Sequence, residues 1–276
     1  MQNQNSSQSL GTIEIIDVHN HIFPDKIALR AAENIRDYYG FSDMEGDGTS
    51  ATLQNLARAL NVRHFIISSA ATKPNSVGTA NDYIHEMTFA DPIYIGLGTT
   101  HAGFADHKKE LVRVKMMGLR GLKIHPDFQG FPINDERLFP AYDAASELDL
   151  PILFHVGDEN SSLSEAKKLR FVMDKFPQLT VIAAHMGGYK KKAEAEEYLV
   201  GTRAYFDTSE WHNYLKPDEL LDMIRRHGIE KIMYGCDYPL NSPYTSAKAL
   251  FNCDLTEKEK RLIFSGNAKK LFRIDD

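Results

Sequence analysis

Short apolar, β-rich runs alternate with longer amphipathic ones from residue 12 onward. Candidate strands fall at residues 13–18, 65–70, 94–99, 119–124, 152–156, 181–185, 204–208 and 232–236, each followed by a helical segment. Eight such units predict an α/β fold, a (β/α)8 TIM barrel. A doubly wound open sheet would more naturally carry a glycine-rich phosphate loop after the first strand, and none is present.

The helical segments carry ordinary signals. Glu110, Leu111, Val114 and Met117 form a 3.6-period stripe ending at Gly118, and Leu220, Leu221 and Ile224 do the same ahead of Gly228. Thr256 and Glu259 have capping-box spacing before Leu262, Ile263 and Phe264. One connection is longer than a βα unit requires. Roughly forty residues separate the first two strands, among them Tyr38-Tyr39-Gly40-Phe41 and the polar, Gly-rich stretch 43–50, before a helical pattern resumes at 52–60. An insertion after strand one emerges on the face where barrel active sites are built, so a partial lid or substrate wall is expected; a surface excursion without a role is the alternative. No internal repeat is visible, giving one domain over residues 12–276 behind a disordered tail of residues 1–11.

Composition narrows the class. Hydrophobic content of 42% and charged content of 25% suit a soluble globular protein with ample core. The 32 Lys+Arg against 38 Asp+Glu give a net charge of −6 without a basic stripe, which argues against nucleic acid as a partner. No apolar run approaches the roughly 20 residues needed to cross a membrane. Residues 1–9 have neither the basic segment nor the apolar core of a signal peptide, so the cytoplasm is the expected address. Cys236 and Cys253 are too few for a disulfide framework, and Cys236, inside an apolar run, reads as a buried thiol.

Chemistry gathers at the strand ends. Asp17-Val18-His19-Asn20-His21 closes the first run, and alternation along a strand puts His19 and His21 on one face, within reach of a single cation. Gly121-Leu122-Lys123-Ile124-His125-Pro126 ends the fourth run, Phe154-His155-Val156-Gly157-Asp158 the fifth, Ala184-His185-Met186-Gly187-Gly188 the sixth and Tyr234-Gly235-Cys236-Asp237-Tyr238-Pro239 the eighth. Each residue alone has an ordinary explanation: a hydrogen-bonded histidine, a turn-starting Asp237, an ion-paired Lys123. Together, His19, His21, His155, His185 and Asp237 at four strand ends would be costly to bury without a cation or hydrogen-bond partners. Asp17, two residues deeper than His19, is either an acceptor for a ligand histidine or a polar plug in the barrel floor. Asp158 is either a substrate contact or a helix cap near residues 161–164. Trp211 and His212 follow strand seven in a mouth-facing loop, while His64, His85, His101, His107 and His227 have no partner in this pattern and read mostly as surface residues.

These motifs, in this order, resemble the amidohydrolase superfamily. The nearest branch is the amidohydrolase-related one (amidohydrolase 2), which includes aminocarboxymuconate-semialdehyde decarboxylase-like proteins. The likeness runs over nearly all of residues 12–272. It implies a distorted barrel with a divalent metal, usually zinc, at its mouth. Position by position, His19, His21, His155 and Asp237 match the metal ligands. His185 matches the strand-six histidine, a second-metal ligand in binuclear members and a hydrogen-bonding acid/base in mononuclear ones. Lys123 lies where some binuclear relatives carry a carboxylated lysine. One zinc ion is expected, although nitrogen and oxygen donors also accept manganese, iron or cobalt. A homodimer is the family-level expectation.

Asp237 and His185 are the expected catalytic pair, Asp237 passing the proton of a metal-activated water to a leaving group and His185 orienting that water or stabilising developing charge. Lys123, His125 and Asp158 are candidate contacts to a small-molecule substrate. The leading expectation is a metal-dependent hydrolase of an amide, another C–N bond, an ester or a lactone. The alternative is a metal-dependent non-oxidative decarboxylase of a small unsaturated or aromatic carboxylic acid. That chemistry favours an arginine near the mouth, and Arg30 and Arg36 follow strand one, where a solvated helix face explains them equally. A metal-binding sensor or adaptor without turnover is a third expectation, disfavoured by the complete ligand set.

Overall fold

Consecutive apolar runs become consecutive strands. The computed structural model describes residues 9–275. Strands β1 (Glu14–His21), β2 (Asn61–Ser68), β3 (Tyr94–Thr99), β4 (Leu122–Ile124), β5 (Ile152–Phe154), β6 (Val181–Ala183), β7 (Tyr205–Asp207) and β8 (Ile232–Met233) are parallel neighbours in sequence order. Past β8 the chain returns to β1. Val18 N donates to Tyr234 O (2.9 Å), Asp237 N to His19 O (3.0 Å) and His21 N to Tyr238 O (2.7 Å), completing a (β/α)8 barrel.

Helices α1 (Asp25–Tyr39), α2 (Ser50–Leu56), α3 (Val77–Ala90), α4 (His107–Met116), α5 (Pro126–Gln129) and α6 (Phe139–Glu147) lie in the first half of the chain. The second half adds α7 (Ala166–Lys175), α8 (Lys192–Tyr198), α9 (Pro217–His227), α10 (Pro243–Phe251), α11 (Glu257–Arg261) and α12 (Asn267–Phe272). Their apolar stripes pack outward-facing strand residues: Leu111 and Val114 of α4, and Leu220 and Ile224 of α9, are fully buried. The Thr256–Glu259 capping box forms at α11. An inner cluster, including Ile16, Val18, Ile66, Leu97, Leu153, Ile182 and Met233, fills the barrel, with Ala268 and Phe272 of α12 packed against it.

Most strands stop earlier than the apolar runs predict, because only the inner part of each run finds ladder partners. β3 and β4 end where their runs do, and β1 extends through His21. Its pairing with β2 shifts register between Asp17 and Asn20, so strict alternation fails there. Val18 belongs to the inner cluster, and His19 next to it reaches the barrel mouth. Asp17 therefore does not support a histidine ring. Its Oδ1 accepts from His19 N (3.2 Å) and Cys236 N (3.1 Å), stitching β1 to β8, and burial pushes its carboxyl up to about 7. Gly235 makes the approach possible, since a Cβ there would sit 2.9 Å from His19 Cβ.

Residues 1–8 of the expected tail lie outside the described residues, while Thr12 N donates back to Ser9 O (2.9 Å) in a turn. Two of the histidines read as surface residues are buried instead. His107 shares a hydrogen bond with Thr100 Oγ1 (2.9 Å). His227 stacks 3.8 Å from Phe206, lies 2.9 Å from Ala204 O through Nε2 and accepts from Gly201 N through Nδ1. Cys236 and Cys253 are buried free thiols.

Candidate metal centre

At the mouth, side chains from β1, β4, β6 and the ends of β7 and β8 meet. His19 Nε2 lies 3.2 Å from His21 Nε2, 3.2 Å from Asp237 Oδ1 and 2.7 Å from Lys123 Nζ, and Asp237 Oδ1 is 3.5 Å from His21 Nε2. The His185 ring is 5.1 Å from that of His19 and makes a 2.9 Å contact through Nε2 to His155 Nδ1. One donor atom each from His19, His185 and Asp237 falls within a 4.8 Å span.

The tautomers are fixed from beneath. Asp207 Oδ2 sits 2.9 Å from His19 Nδ1 and can only accept, so Nδ1 carries a proton and Nε2 is the nitrogen turned to the centre. Asp207 Oδ1 takes the backbone N–H of His185 (3.0 Å) and the Ser209 hydroxyl, and Ser209 Oγ lies 2.8 Å from His185 Nδ1. Ser209 spends its own proton on Asp207, so His185 donates through Nδ1 and also presents Nε2 bare. Burial pushes His21 and His185 down to about 4, and His125 and His155 well below the usual imidazole range. Burial works to raise Asp237, yet His19, a hydrogen bond from His21, and His185 hold it well below the usual carboxylate range. Neutral imidazoles converging with an ionised carboxylate are the protonation states a divalent cation requires, and the donor set fits one.

Of the four residues matched as ligands, His19, His21 and Asp237 come together directly, whereas His155 joins through His185. His155 also stacks on His125 (4.0 Å, 10° between planes), and Tyr39 Oη lies 3.2 Å from His125 Nε2 and 3.3 Å from His155 Nε2. His125, Asp127 and His155 are close enough to suggest a second cluster. The Nε2 atoms of both rings are already turned to the Tyr39 hydroxyl.

The expected substrate contacts separate. His125 lines the cavity above the centre. Lys123 is fully buried behind His19, its ammonium pushed down to about 8 by burial against the pull of Asp237 and Asp207, and it does not face the cavity. Asp158 accepts from Tyr38 Oη (3.1 Å) and Asn160 N (2.7 Å), which ties the insertion to the loop after β5. Arg36 pairs with Asp37 (2.8 Å) and Arg30 is exposed, so neither guanidinium reaches the cavity. Trp211 is buried, and neither it nor His212 lines the cavity.

Sequence reasoning missed Asp207, Ser209 and Glu210, although Tyr205-Phe206-Asp207 repeats the pattern of an apolar run ending in a polar residue. Glu210 is buried, pushed up to about 8 by burial and then by Asp237, and accepts from Asn213 Nδ2 (2.7 Å).

The insertion is a wall. A cavity of about 600 Å³ opens between α1 and the loop after β2, with His21, His125 and Asp237 at its buried end and Tyr38, Tyr39 and Phe128 beside them. The amidohydrolase family model matches residues 16–274. The chain belongs to that family.

Within it, the chain is similar to 5-carboxyvanillate decarboxylase from Sphingomonas paucimobilis, at 17% identity over 96% of this chain and 100% of that one, TM-score 0.72. Dihydroxybenzoic acid decarboxylase from Polaromonas sp. JS666, solved with manganese and an inhibitor, matches at 17% over 96% and 98%, TM-score 0.71. 2,6-Dihydroxybenzoate decarboxylase from Rhizobium matches at 17% over 96% and 99%, TM-score 0.69. At such identities the likeness speaks for the fold. These relatives are decarboxylases, which overturns the expectation of amide, ester or lactone hydrolysis. The family and the donor set support a divalent metal, and nothing singles out zinc. Among the described residues no helix is long and apolar enough to cross a membrane.

Proposed function

We propose that this enzyme is a metal-dependent, non-oxidative decarboxylase of a small aromatic or unsaturated carboxylic acid. The observation that carries the proposal is the make-up of the cavity: a mostly apolar space that admits a ring, with Asp237 as the only acidic side chain among the described residues of its lining, beside the neutral His21 and His125. The named activities of the relatives support the same reading, and the manganese in one of them makes Mn2+ the first ion to load.

His19, His21, Asp237 and His185 would hold the ion, with His155 adjoining. When bound, it supplies fixed positive charge that draws the acid to the cavity floor and stabilises charge as the carbon–carbon bond weakens. Tyr39, Phe128 and the stacked His125 orient the ring. In the reaction the bond between carboxylate and ring carbon breaks, CO2 leaves, and the carbon keeps the electron pair and takes one proton. Asp237 is the carboxyl group beside that carbon. Ionised in the free site, it would take that proton from solvent and pass it to the carbon, its weak hold on a proton favouring the transfer. His185, anchored through Ser209 to Asp207, keeps its ring fixed while charge moves. The apolar walls exclude water and favour the charge-dispersed transition state over a localised carboxylate.

Protein loaded with Mn2+ and offered a panel of hydroxybenzoic and unsaturated acids is expected to release CO2 with the matching decarboxylated product. His21→Ala or removal of the metal abolishes release. A metal-loaded protein that releases no CO2 across the panel contradicts the proposal.

A further inference from the structure

The cavity is larger than a single ring needs, and its far portion is of a different character from its floor. A monocyclic acid of about ten heavy atoms fills only part of a 600 Å³ space, a volume in the range that suits drug-sized ligands. Beyond His21, His125 and Asp237 the wall is mostly apolar, with Phe23, Ile27, Ala31, Ile35 and Leu240, and its polar members, such as Asn34 and Thr79, are uncharged. Among the described residues, no Lys, Arg or Glu lines it.

Helix α1 explains the shape. Ile27, Ala31, Ile35 and Tyr38 recur at helical spacing on one face. Tyr38 is anchored to Asp158, but the face before it is not packed on the barrel: only Ala28 and Ala32 of α1 are buried, and Ile27 stays 53% exposed. An apolar stripe thus fronts open space, and the space is continuous with the metal centre.

We infer that the substrate is a monocarboxylic acid carrying an uncharged apolar substituent, a tail that lies along α1 while the acid end sits at Asp237. A second carboxylate at the tail end would be desolvated with no cation to meet it. This inference rests on the decarboxylase reading for the acid end only. The tail site stands on the cavity itself.

The test uses 2-hydroxybenzoic acids bearing a 4-alkyl chain of zero, two, four or six carbons, together with the 3-alkylphenols that their decarboxylation would produce. Binding is followed by calorimetry on the Mn2+-loaded protein and turnover by CO2 release. Affinity is expected to rise by up to roughly fourfold per methylene until the cavity is filled. An acid whose chain ends in a second carboxylate binds at least tenfold more weakly than its methyl-ended counterpart. Ala31→Phe from α1 and Ala80→Phe from the opposite wall each reduce the ratio of long-chain to short-chain affinity. A graded series without CO2 release keeps the tail site and removes the decarboxylase reading. CO2 release with affinity independent of chain length overturns the tail site and keeps the decarboxylase reading.

Discussion

Asp207 Oδ2 sits 2.9 Å from His19 Nδ1 with both side chains fully buried, and this one contact decides which nitrogen of His19 faces the metal centre. Removing the charge of the acceptor weakens the preference. Asp207→Asn is therefore expected to lower metal affinity by roughly 10- to 100-fold, as for other partners of ligating histidines. Competition against a chelator of known affinity measures this. Unchanged affinity would show that His19 needs no help from Asp207.

Tyr39 brings the insertion to the centre through one hydroxyl shared between His125 and His155. Tyr39→Phe keeps the ring and its packing and deletes that hydroxyl. Catalytic efficiency is expected to fall about tenfold, or ~1.4 kcal/mol, in the range of a lost buried hydrogen bond. Thermal stability should move little. Steady-state kinetics and a melting curve on one preparation distinguish this from general loosening, which would lower both.

Asp158 holds the same insertion from the other side by accepting from Tyr38. Asp158→Ala leaves α1 attached at fewer points, so KM is expected to rise several-fold and limited proteolysis to cut within α1 or residues 41–49 sooner. A variant as resistant to protease as the parent would show that the Tyr38 contact does not hold the wall in position.

His227 gives a pH signature distant from the metal centre. Burial first, opposed by its Ala204 hydrogen bond, pushes it down to about 4, below the ordinary value near 6.5. The unfolded chain then binds a proton across this interval and the folded chain does not, so stability is full above about 6.5 and falls as pH drops toward 4. His227→Gln should cost about 1–3 kcal/mol at pH 7 for the disturbed buried hydrogen bonds and should flatten that slope. Denaturant melts of both proteins at pH 7.5, 5.5 and 4.5 give the comparison. An equal slope in the two proteins would remove His227 as its source.

Much of the centre was legible because barrel strands deliver their last residues to one mouth, so polar ends on apolar runs mark the site before any contact is known. That logic found His19, His21, His125, His155, His185 and Asp237. It left Asp17 open between an acceptor for a ligand histidine and a polar plug, and where the register shift in β1 breaks the alternation the carboxylate instead meets the backbone of His19 and Cys236. It missed Asp207 because a single carboxylate after β7 matches no ligand motif; its importance lies in a contact 188 residues away in sequence. The Tyr39 contact depends on how an irregular connection folds back, which periodicity does not encode. Reaction type was hidden for a different reason: neutral imidazoles and a carboxylate around a cation suit hydrolysis and decarboxylation alike.

The most direct measurement is isotopic. Mn2+-loaded protein is incubated in D2O with an aromatic acid labelled with 13C in its carboxyl group. The proposed chemistry yields labelled CO2 and an equal amount of product with one deuterium on the carbon that lost it, both absent after chelation. Labelled acid recovered intact across the acid panel, with the metal shown to be bound, would contradict decarboxylation as the function of this site.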